Sequence, residues 1–254
     1  MPTAGDVKEA LWLSTKSFDT GPKPGTPYRA KLTSKVVCGV SQSGVVIAAP
    51  IGQLAAPNPF GFGTSSLVAV VNDNPAGFVI LTASGKAKHV TLKDLATAAQ
   101  KQGTIIELAD DDTIAAVAEA GGETLVVVSS DSNVMTCDAS TVPTQGPDKA
   151  GVKGMNLKAG AEVVAAFIPK NAASETLAVL SKDGVKVTPL SELPVKGRGT
   201  GGVRVAKTLS PVLSAAVGVE VAGAAGKRKS ALPDPTERGK KWDDAGSVKA
   251  VAAW

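Results

Sequence analysis

The chain has 254 residues and a formal net charge of +4; 43% of its residues are hydrophobic and only 4% are aromatic. No apolar run approaches the roughly 18 residues that a membrane-spanning helix needs, and no charged and apolar signal segment is visible, so we expect neither a membrane span nor secretion. A single histidine, His89, and two distant cysteines leave too few partners for a metal site or an activated nucleophile, so no metal, cofactor or catalytic group is expected. Scarce aromatics argue against a surface that stacks single-stranded bases.

Four related strand–turn–strand units follow one another along the chain. They begin near Val36, Phe78, Glu123 and Glu175, roughly 40 to 50 residues apart. In the last unit a continuously apolar run at 177–180 is followed by a turn with Asp183-Gly184 and by a run in which valines alternate with Lys186 and Thr188. The alternation predicts that the valines face inward and that Lys186 and Thr188 face solvent. Asp-Gly between two such runs is a strong hairpin signal, because glycine accepts the positive φ that the turn requires. A repeat at this spacing predicts a propeller-like architecture.

The other units carry matching turns and two further strands each. Ser43-Gly44, Ser84-Gly85 and Asp131-Ser132-Asn133 occupy the turn, and we expect Asn133 to be the left-handed residue. The predicted short strands lie at 103–106, 151–155 and 201–205, and the predicted closing strands at Leu67–Val71, 114–117, Val163–Phe167 and 213–217. Four strands in each unit fit one blade. Leu92–Lys101 and 111–120 are the only candidate helices.

These patterns predict an all-β fold. We expect a single propeller-like domain over residues 1–254, with about six four-stranded antiparallel blades and five as the alternative. Residues 10–15 would open the first blade. The segment 233–254 contains Pro233, Pro235 and several charges, so it is a candidate flexible tail.

Positive charge is concentrated late in the chain. From residue 196 onward there are 11 Lys and Arg against 5 Asp and Glu, whereas the preceding part has 16 against 18. Residues 109–112, with Glu119 and Glu123, form an acidic stretch. One sector of a ring of blades would therefore be basic and another acidic, and a polyanion would touch only part of the rim.

A glycine-rich stretch at 196–202 supplies the best candidate contacts. It carries Lys196 and Arg198, and Arg204 follows it. Cationic side chains and backbone N–H groups of such a loop can bind phosphates without reading bases. The predicted DNA-binding residues are Lys182, Lys186, Lys196, Arg198, Arg204 and Lys207, together with Lys86 and Lys88 from an earlier unit. A solvated cationic edge and a flexible inter-strand loop are the alternative interpretations.

Two segments resemble a known family. The run from Asp183-Gly184 through 190–203 (LSELPVKGRGTGGV) resembles a blade of the C-terminal domain of the A subunit of bacterial type IIA DNA topoisomerases, gyrase and topoisomerase IV. Residues 151–164 (GVKGMNLKAGAEVV) resemble the strand that closes another blade, and the resemblance extends at repeat level over about residues 8–220. It implies a monomeric β-pinwheel without a cofactor, whose basic rim bends double-stranded DNA. It further implies two partners in the full enzyme, the N-terminal cleavage region of the same subunit and the ATPase B subunit. It also implies a cytoplasmic location, in association with the nucleoid.

The sequence also departs from the gyrase pattern. The Gln-Arg-Arg-Gly-Gly-Lys-Gly box of the first gyrase blade has no match between Trp12 and Leu54, and its nearest counterpart, at 196–202, lies in a late blade. This favours a topoisomerase IV-like A subunit, and the Ala, Val and Gly content resembles an actinobacterial version. The family's DNA-cleaving tyrosine lies in a separate N-terminal region, and Tyr28 matches no catalytic motif. We therefore expect no enzymatic activity from this chain alone. The resemblance nevertheless implies that it is part of an ATP-dependent topoisomerase.

Three other hypotheses stay open. The first is a gyrase A domain that wraps DNA, and the second is a protein-binding propeller without DNA contact. The third, an enzyme with a site in a central channel, lacks converging His, Cys or paired carboxylates in the sequence.

Overall fold

The computed structural model describes residues 36–50, 60–62, 66–71, 73–181, 184–206, 211–217, 219–223, 228–229 and 248–253. The strands are β1 Val36–Ser41, β2 Val46–Pro50, β3 Leu67–Val71, β4 Phe78–Thr82, β5 Lys86–Val90, β6 Ile114–Glu119, β7 Thr124–Ser129, β8 Asn133–Asp138, β9 Val152–Lys153, β10 Val163–Phe167, β11 Thr176–Ser181, β12 Gly184–Pro189, β13 Val203–Arg204, β14 Val212–Val217, β15 Val219–Gly223, β16 Arg228–Lys229 and β17 Val248–Ala253. One α-helix, α1 Leu92–Lys101, and two 3₁₀ turns, Ala139–Thr141 and Leu190–Glu192, complete the described elements.

The strands form five antiparallel sheets, which we number along the chain. Their strand orders are β2-β1-β3 for sheet 1, β6-β4-β5-β9 for sheet 2, β10-β7-β8-β13 for sheet 3, β12-β11-β14 for sheet 4 and β16-β15-β17 for sheet 5. The all-β expectation is confirmed, and the predicted closing strands agree with β3, β6, β10 and β14 to within about two residues. A count of six blades stays a prediction, because the strand expected at 10–15 lies outside the described residues. The flexible tail at 233–254 also stays a prediction; its described part, β17, pairs with β15.

The core lies between successive sheets, and this explains the continuously apolar strands. Along β4, Phe78 and Ile80 pack with residues of sheet 1, whereas Val79 and Leu81 pack with residues of sheet 3. Every residue of β4 is buried. A strand with a neighbouring sheet on both faces has no polar face to show, so its sequence is a hydrophobic run rather than an alternation.

The same packing overturns one expectation about the partner strands. The alternation in β12 predicts that Lys186 and Thr188 face solvent, yet they are only 7% and 1% exposed. Lys186 lies opposite Val179, whose side chain belongs to the core between sheets 3 and 4. The period-two pattern in β12 therefore distinguishes two covered faces and not an inner face from an outer one.

The short strands after the glycines do not join the blade of their own unit. β9 lies in the chain between β8 and β10 of sheet 3, but it pairs with β5 of sheet 2. In the same way, β13 lies between β12 and β14 of sheet 4 but pairs with β8 of sheet 3. In sheet 1 the equivalent contact is the single bridge between Val45 and Thr104. The expectation that each four-strand unit is one blade is thus wrong, because the free hairpin edge of one sheet is completed by a strand from the next unit.

The hairpin turns receive the exchanged strands. The N–H groups of Ile105, Gly154 and Val205 donate to the carbonyls of Gly44, Gly85 and Ser132 at 2.9, 2.8 and 3.0 Å. These three acceptor residues have positive φ, at +83°, +87° and +63°. The left-handed residue of the third turn is therefore Ser132 rather than the expected Asn133, which instead begins β8 and donates from its amide to Asp131.

Only one of the two candidate helices forms. Helix α1 begins after Thr91, whose Oγ1 accepts the Asp94 N–H at 3.1 Å, and it packs on β2. The second candidate, 111–120, contains strand β6 instead, because Ile114, Ala116 and Ala118 are buried at every second position. No helix in the described ranges is both long and apolar enough to cross a membrane.

Candidate nucleic-acid interface

The exchanged strands place cations at one repeated, exposed position. Lys153 at the end of β9 and Arg204 at the end of β13 are both exposed, while the valine before each is half-buried. Both follow from the same register: Lys153 lies opposite Lys86 of β5, and Arg204 lies opposite Asn133 of β8. Sheets 2 and 3 therefore present a positive charge at the same edge.

Lys86 and Lys153 face each other across β5 and β9. Like charges directly opposite on antiparallel strands repel one another. A cavity of about 320 Å³ is lined by both lysines together with Ser84 and Asn156. An anion in or over this cavity would relieve the repulsion, so the pair is better suited to a bound polyanion than to the isolated protein.

One residue of the cavity lining, Ser84, is bonded to a carboxylate. Burial alone would raise the pKa of Asp112, but hydrogen bonds from Ser84 and Thr113 hold this pKa below its ordinary value. Its Oδ1 accepts the Ser84 N–H at 2.9 Å, and its Oδ2 accepts the Ser84 hydroxyl. Asp112 is therefore charged at neutral pH and held by Ser84.

The glycine-rich loop 196–202 is anchored on sheets 2 and 3. The Lys196 N–H donates to Thr136 O at 2.8 Å, and the Gly199 N–H donates to Gly154 O at 2.7 Å. Gly202 has φ +69°, and a Cβ there would lie 2.3 Å from the Val134 carbonyl oxygen, so only glycine fits. The alternative interpretation of a flexible inter-strand loop does not fit these anchors.

Arg198 connects this loop to the exchanged strand. Its Nε donates to Thr141 O at 3.0 Å and its Nη1 donates to Lys153 O. The guanidinium is half-exposed and held beside Lys153, with donors left over for an incoming acceptor. Arg198 is thus bonded to Lys153, Lys86 lies opposite Lys153 across β5 and β9, and the loop that carries Lys196 leads into Arg204 on β13; we call these five residues the basic surface.

Two predicted residues do not belong to that surface. Lys88 is fully buried, and its Nζ donates to the carbonyls of Ile105, Gly146 and Lys149. Burial lowers the pKa of Lys88 to about 8, against the opposing charges of Asp148, Asp94 and Glu107. Lys186 is buried in β12, so neither ammonium can reach a phosphate on the rim.

The remaining predicted residues divide as follows. Lys196 and Arg204 are exposed, and Arg198 and Lys86 are half-exposed. Lys182 and Lys207 lie outside the described residues. Sequence reasoning missed Lys153, although a signal was present: Gly-Val-Lys at 151–153 repeats Gly-Val-Arg at 202–204.

Neighbouring surfaces are less positive. No Lys or Arg occurs from 102 to 148, a segment with nine Asp and Glu. The loop 145–150, which precedes β9 as 196–202 precedes β13, pairs its Lys149 with Asp148 at 3.0 Å. Its charge is therefore balanced, and the loop at 196–202 stands out because no acid accompanies Lys196 and Arg198.

Reactive groups in the described part of the chain are engaged or protonated. His89 shares hydrogen bonds with Thr144 Oγ1 through Nδ1 at 2.8 Å and with Ala76 O through Nε2 at 2.7 Å. Burial raises the pKa of the thiols of Cys38 and Cys137. Among the described residues, no group of three His, Cys, Asp or Glu is placed to hold a metal ion.

Comparison with known proteins gives related results by sequence and by structure. Residues 78–119, 123–170 and 181–211 match the family model described as DNA gyrase C-terminal domain, beta-propeller. The chain is 32% identical over 143 residues to the DNA gyrase A subunit of Pseudomonas aeruginosa, and 36% identical over 83 residues to topoisomerase subunit TopoM of Mycolicibacterium smegmatis. These alignments cover 55% and 32% of this chain but only 15% and 12% of the two relatives.

Solved structures show the same fold. The C-terminal domain of DNA topoisomerase IV superimposes with a TM-score of 0.69 at 21% identity, covering 85% of this chain and 78% of that one. The Escherichia coli ParC C-terminal domain gives a TM-score of 0.63 at 18% identity, covering 85% and 97%. The sheets that exchange β9 and β13 are thus blades of a β-pinwheel. The repeats at 78–119, 123–170 and 181–211 are similar to DNA gyrase A C-terminal β-propeller domains.

Proposed function

We propose that this chain is the DNA-binding domain of the A subunit of a type IIA topoisomerase, and that it holds and bends the transported duplex through phosphate contacts on one sector of its rim. The observation that carries the proposal is the basic surface of Lys86, Lys153, Lys196, Arg198 and Arg204, which strand exchange assembles from successive units. Phosphate contacts of this kind bind without reading sequence, and preference then comes from how easily a site bends.

The role is topoisomerase IV-like rather than that of a wrapping gyrase. The loop 196–202 contains Thr200 where an uninterrupted basic box would continue, and it lies in a late blade and not the first. A surface confined to part of the rim supports holding and bending more than wrapping. The gyrase role is the second candidate, because the relatives include several gyrase A subunits.

The remaining features of the proposal follow from membership of such an enzyme. The domain would be a monomeric single unit over residues 1–254, joined to the N-terminal cleavage region of the same subunit, and it would work with the ATPase B subunit. It would act on nucleoid DNA in the cytoplasm. Its own chemistry would be binding alone, with cleavage and ATP hydrolysis supplied by the rest of the enzyme.

Duplex binding by a charge-reversed variant tests the proposal. Fluorescence anisotropy with a labelled duplex compares the wild-type chain with the triple variant Lys196→Glu, Arg198→Glu, Arg204→Glu. The matched control is Lys93→Glu, Lys101→Glu, Lys170→Glu, which reverses three exposed lysines elsewhere. We expect the first variant to lose binding and the control to retain most of it, with both showing wild-type circular dichroism. Equal affinities for all three chains would refute the site.

Ligation of nicked circles separates the two topoisomerase roles. Increasing amounts of the chain are bound before ligation, at low and moderate salt, and the topoisomer distribution is read afterwards. The topoisomerase IV-like role predicts salt-sensitive binding without a large shift in linking number. A defined shift of one sign would favour the gyrase role, and capture of a protein partner without duplex binding would favour the protein-binding alternative.

A further inference from the structure

Gly197 has no reason within the protein to be glycine. Its φ lies outside the left-handed region, and a Cβ placed on it would meet no atom within 4 Å. Among the glycines whose surroundings the structure describes, Gly197 alone combines these two properties. The others have positive φ or at least one atom within 4 Å of the added Cβ, although at Gly103 that contact, at 3.8 Å, is an ordinary one. Glycine is also the residue that lets a ligand approach the backbone closely, and this use remains for Gly197.

The preceding repeat provides an internal comparison. Gly146 occupies the equivalent place in the loop 145–150. A Cβ on Gly146 would lie 2.9 Å from Asp148 Oδ1, and its carbonyl accepts a hydrogen bond from buried Lys88. A Cβ at 146 would thus meet the carboxylate tip of an exposed side chain, which can move aside, whereas a Cβ at 197 would meet nothing.

The surroundings of Gly197 are those of a phosphate site. The loop is fixed on either side of it, by the Lys196 N–H on Thr136 O and by the Gly199 N–H on Gly154 O. Between these anchors, the N–H groups of Gly197 and Arg198 donate to no acceptor in the described part of the chain. The side chain of Lys196 is exposed, and the Arg198 guanidinium is held by two carbonyls. Consecutive free N–H groups between two cations form an anion-binding arrangement.

We propose that Gly197 is the point of closest approach of the duplex, where a backbone phosphate lies against the main chain between Lys196 and Arg198. This inference rests on the proposed function and adds a contact that charge reversal does not report. A methyl group at 197 fits the folded protein but occupies the space of that phosphate. The cationic side chains alone would tolerate it, because they can reach past a methyl group.

The test is Gly197→Ala, with Gly103→Ala as the matched control. Gly103 also lacks a positive φ, and a Cβ there would have its nearest neighbour at 3.8 Å, so both substitutions fit the fold. Melting temperature and duplex affinity are measured for both variants and for the wild-type chain over a series of salt concentrations. For both variants we expect an unchanged or slightly raised melting temperature, because alanine loses less conformational freedom on folding.

The expected result is an affinity about tenfold weaker for Gly197→Ala, with a wild-type salt slope because no cation is removed, and wild-type behaviour for Gly103→Ala. Wild-type affinity of Gly197→Ala would overturn the inference and leave the proposed function standing. A lowered melting temperature of Gly197→Ala would also overturn it, since the fold would then need this glycine. Failure of the wild-type chain to bind any duplex would instead overturn the proposed function itself.

Discussion

Replacing Lys153 with alanine gives the most informative single test of the basic surface. Lys153 is not apparent from charge clustering; it enters the site because β9 crosses to sheet 2 and places it opposite Lys86 and beside Arg198. The substitution truncates an exposed side chain and removes its repulsion with Lys86. We therefore expect unchanged or slightly increased stability together with weaker duplex binding.

The magnitude follows from the number of cations on the surface. If Lys86, Lys153, Lys196, Arg198 and Arg204 each neutralise one phosphate, log K should fall with log salt with a slope of about −4.5, at about −0.9 per contact. The Lys153→Ala slope should then be about −3.6. Between 50 and 200 mM salt, the ratio of wild-type to variant affinity should shrink by about 3.5-fold.

The assay is anisotropy of a labelled duplex at four or more salt concentrations, with Lys170→Ala as the control for loss of one exposed lysine. Lys170 lies beyond β10 and outside the basic surface. We expect a smaller slope for Lys153→Ala and an unchanged slope for Lys170→Ala. Parallel lines for the wild-type chain and Lys153→Ala would show that Lys153 contacts no phosphate and would refute the reasoning from strand exchange.

Three further predictions concern the framework of the site. Lys88→Met leaves three carbonyls without their donor, so we expect the free energy of unfolding in urea to fall by about 2 kcal/mol. We expect this loss even though a methionine, Met135, is buried at the equivalent position in sheet 3. An unchanged urea midpoint would contradict this role of Lys88. The pKa of Lys88 is lowered to about 8 in the folded chain from an ordinary 10.5, so the unfolded chain holds this proton more tightly and the stability contributed by Lys88 should rise between pH 8 and 10.5. The difference in urea midpoint between the wild-type chain and Lys88→Met should therefore grow over that pH window. A constant difference would be inconsistent with this argument. Gly202→Ala combines φ +69° with a clash on Val134 O, so we expect the free energy of unfolding to fall by at least about 2 kcal/mol in the same assay. The control, Gly103→Ala, should be neutral. Equal midpoints for these two variants would count against the anchoring of the loop.

Local patterns were sufficient to predict the strands and hairpins. The run at 78–82 is apolar throughout because both its faces are covered, and the Gly44 and Gly85 turns have the positive φ expected of them. The closing strands were equally visible, since each is a short apolar run after a polar turn. These features depend on contacts within about ten residues, which the sequence displays directly.

Non-local contacts could not be predicted in the same way. The pairing of β9 with β5 joins residues more than 60 positions apart, and nothing in the run Gly-Val-Lys indicates which hairpin it completes. Lys88 and Lys186 look like solvent-facing residues in an alternating pattern, yet stacking of a sheet on each face buries both. Reasoning from the sequence accordingly proposed Lys86, Lys196, Arg198 and Arg204 for the candidate site but missed Lys153.

Lysine footprinting by acetylation and mass spectrometry, with and without saturating duplex, tests the central claim most directly. Buried Lys88 should be unreactive in both samples and reports that the chain is folded. We expect the duplex to protect Lys86, Lys153 and Lys196, and to leave exposed Lys93 and Lys101 of helix α1 as reactive as before. Protection of the α1 lysines with no change at Lys153 and Lys196 would place the duplex elsewhere and contradict the proposed interface.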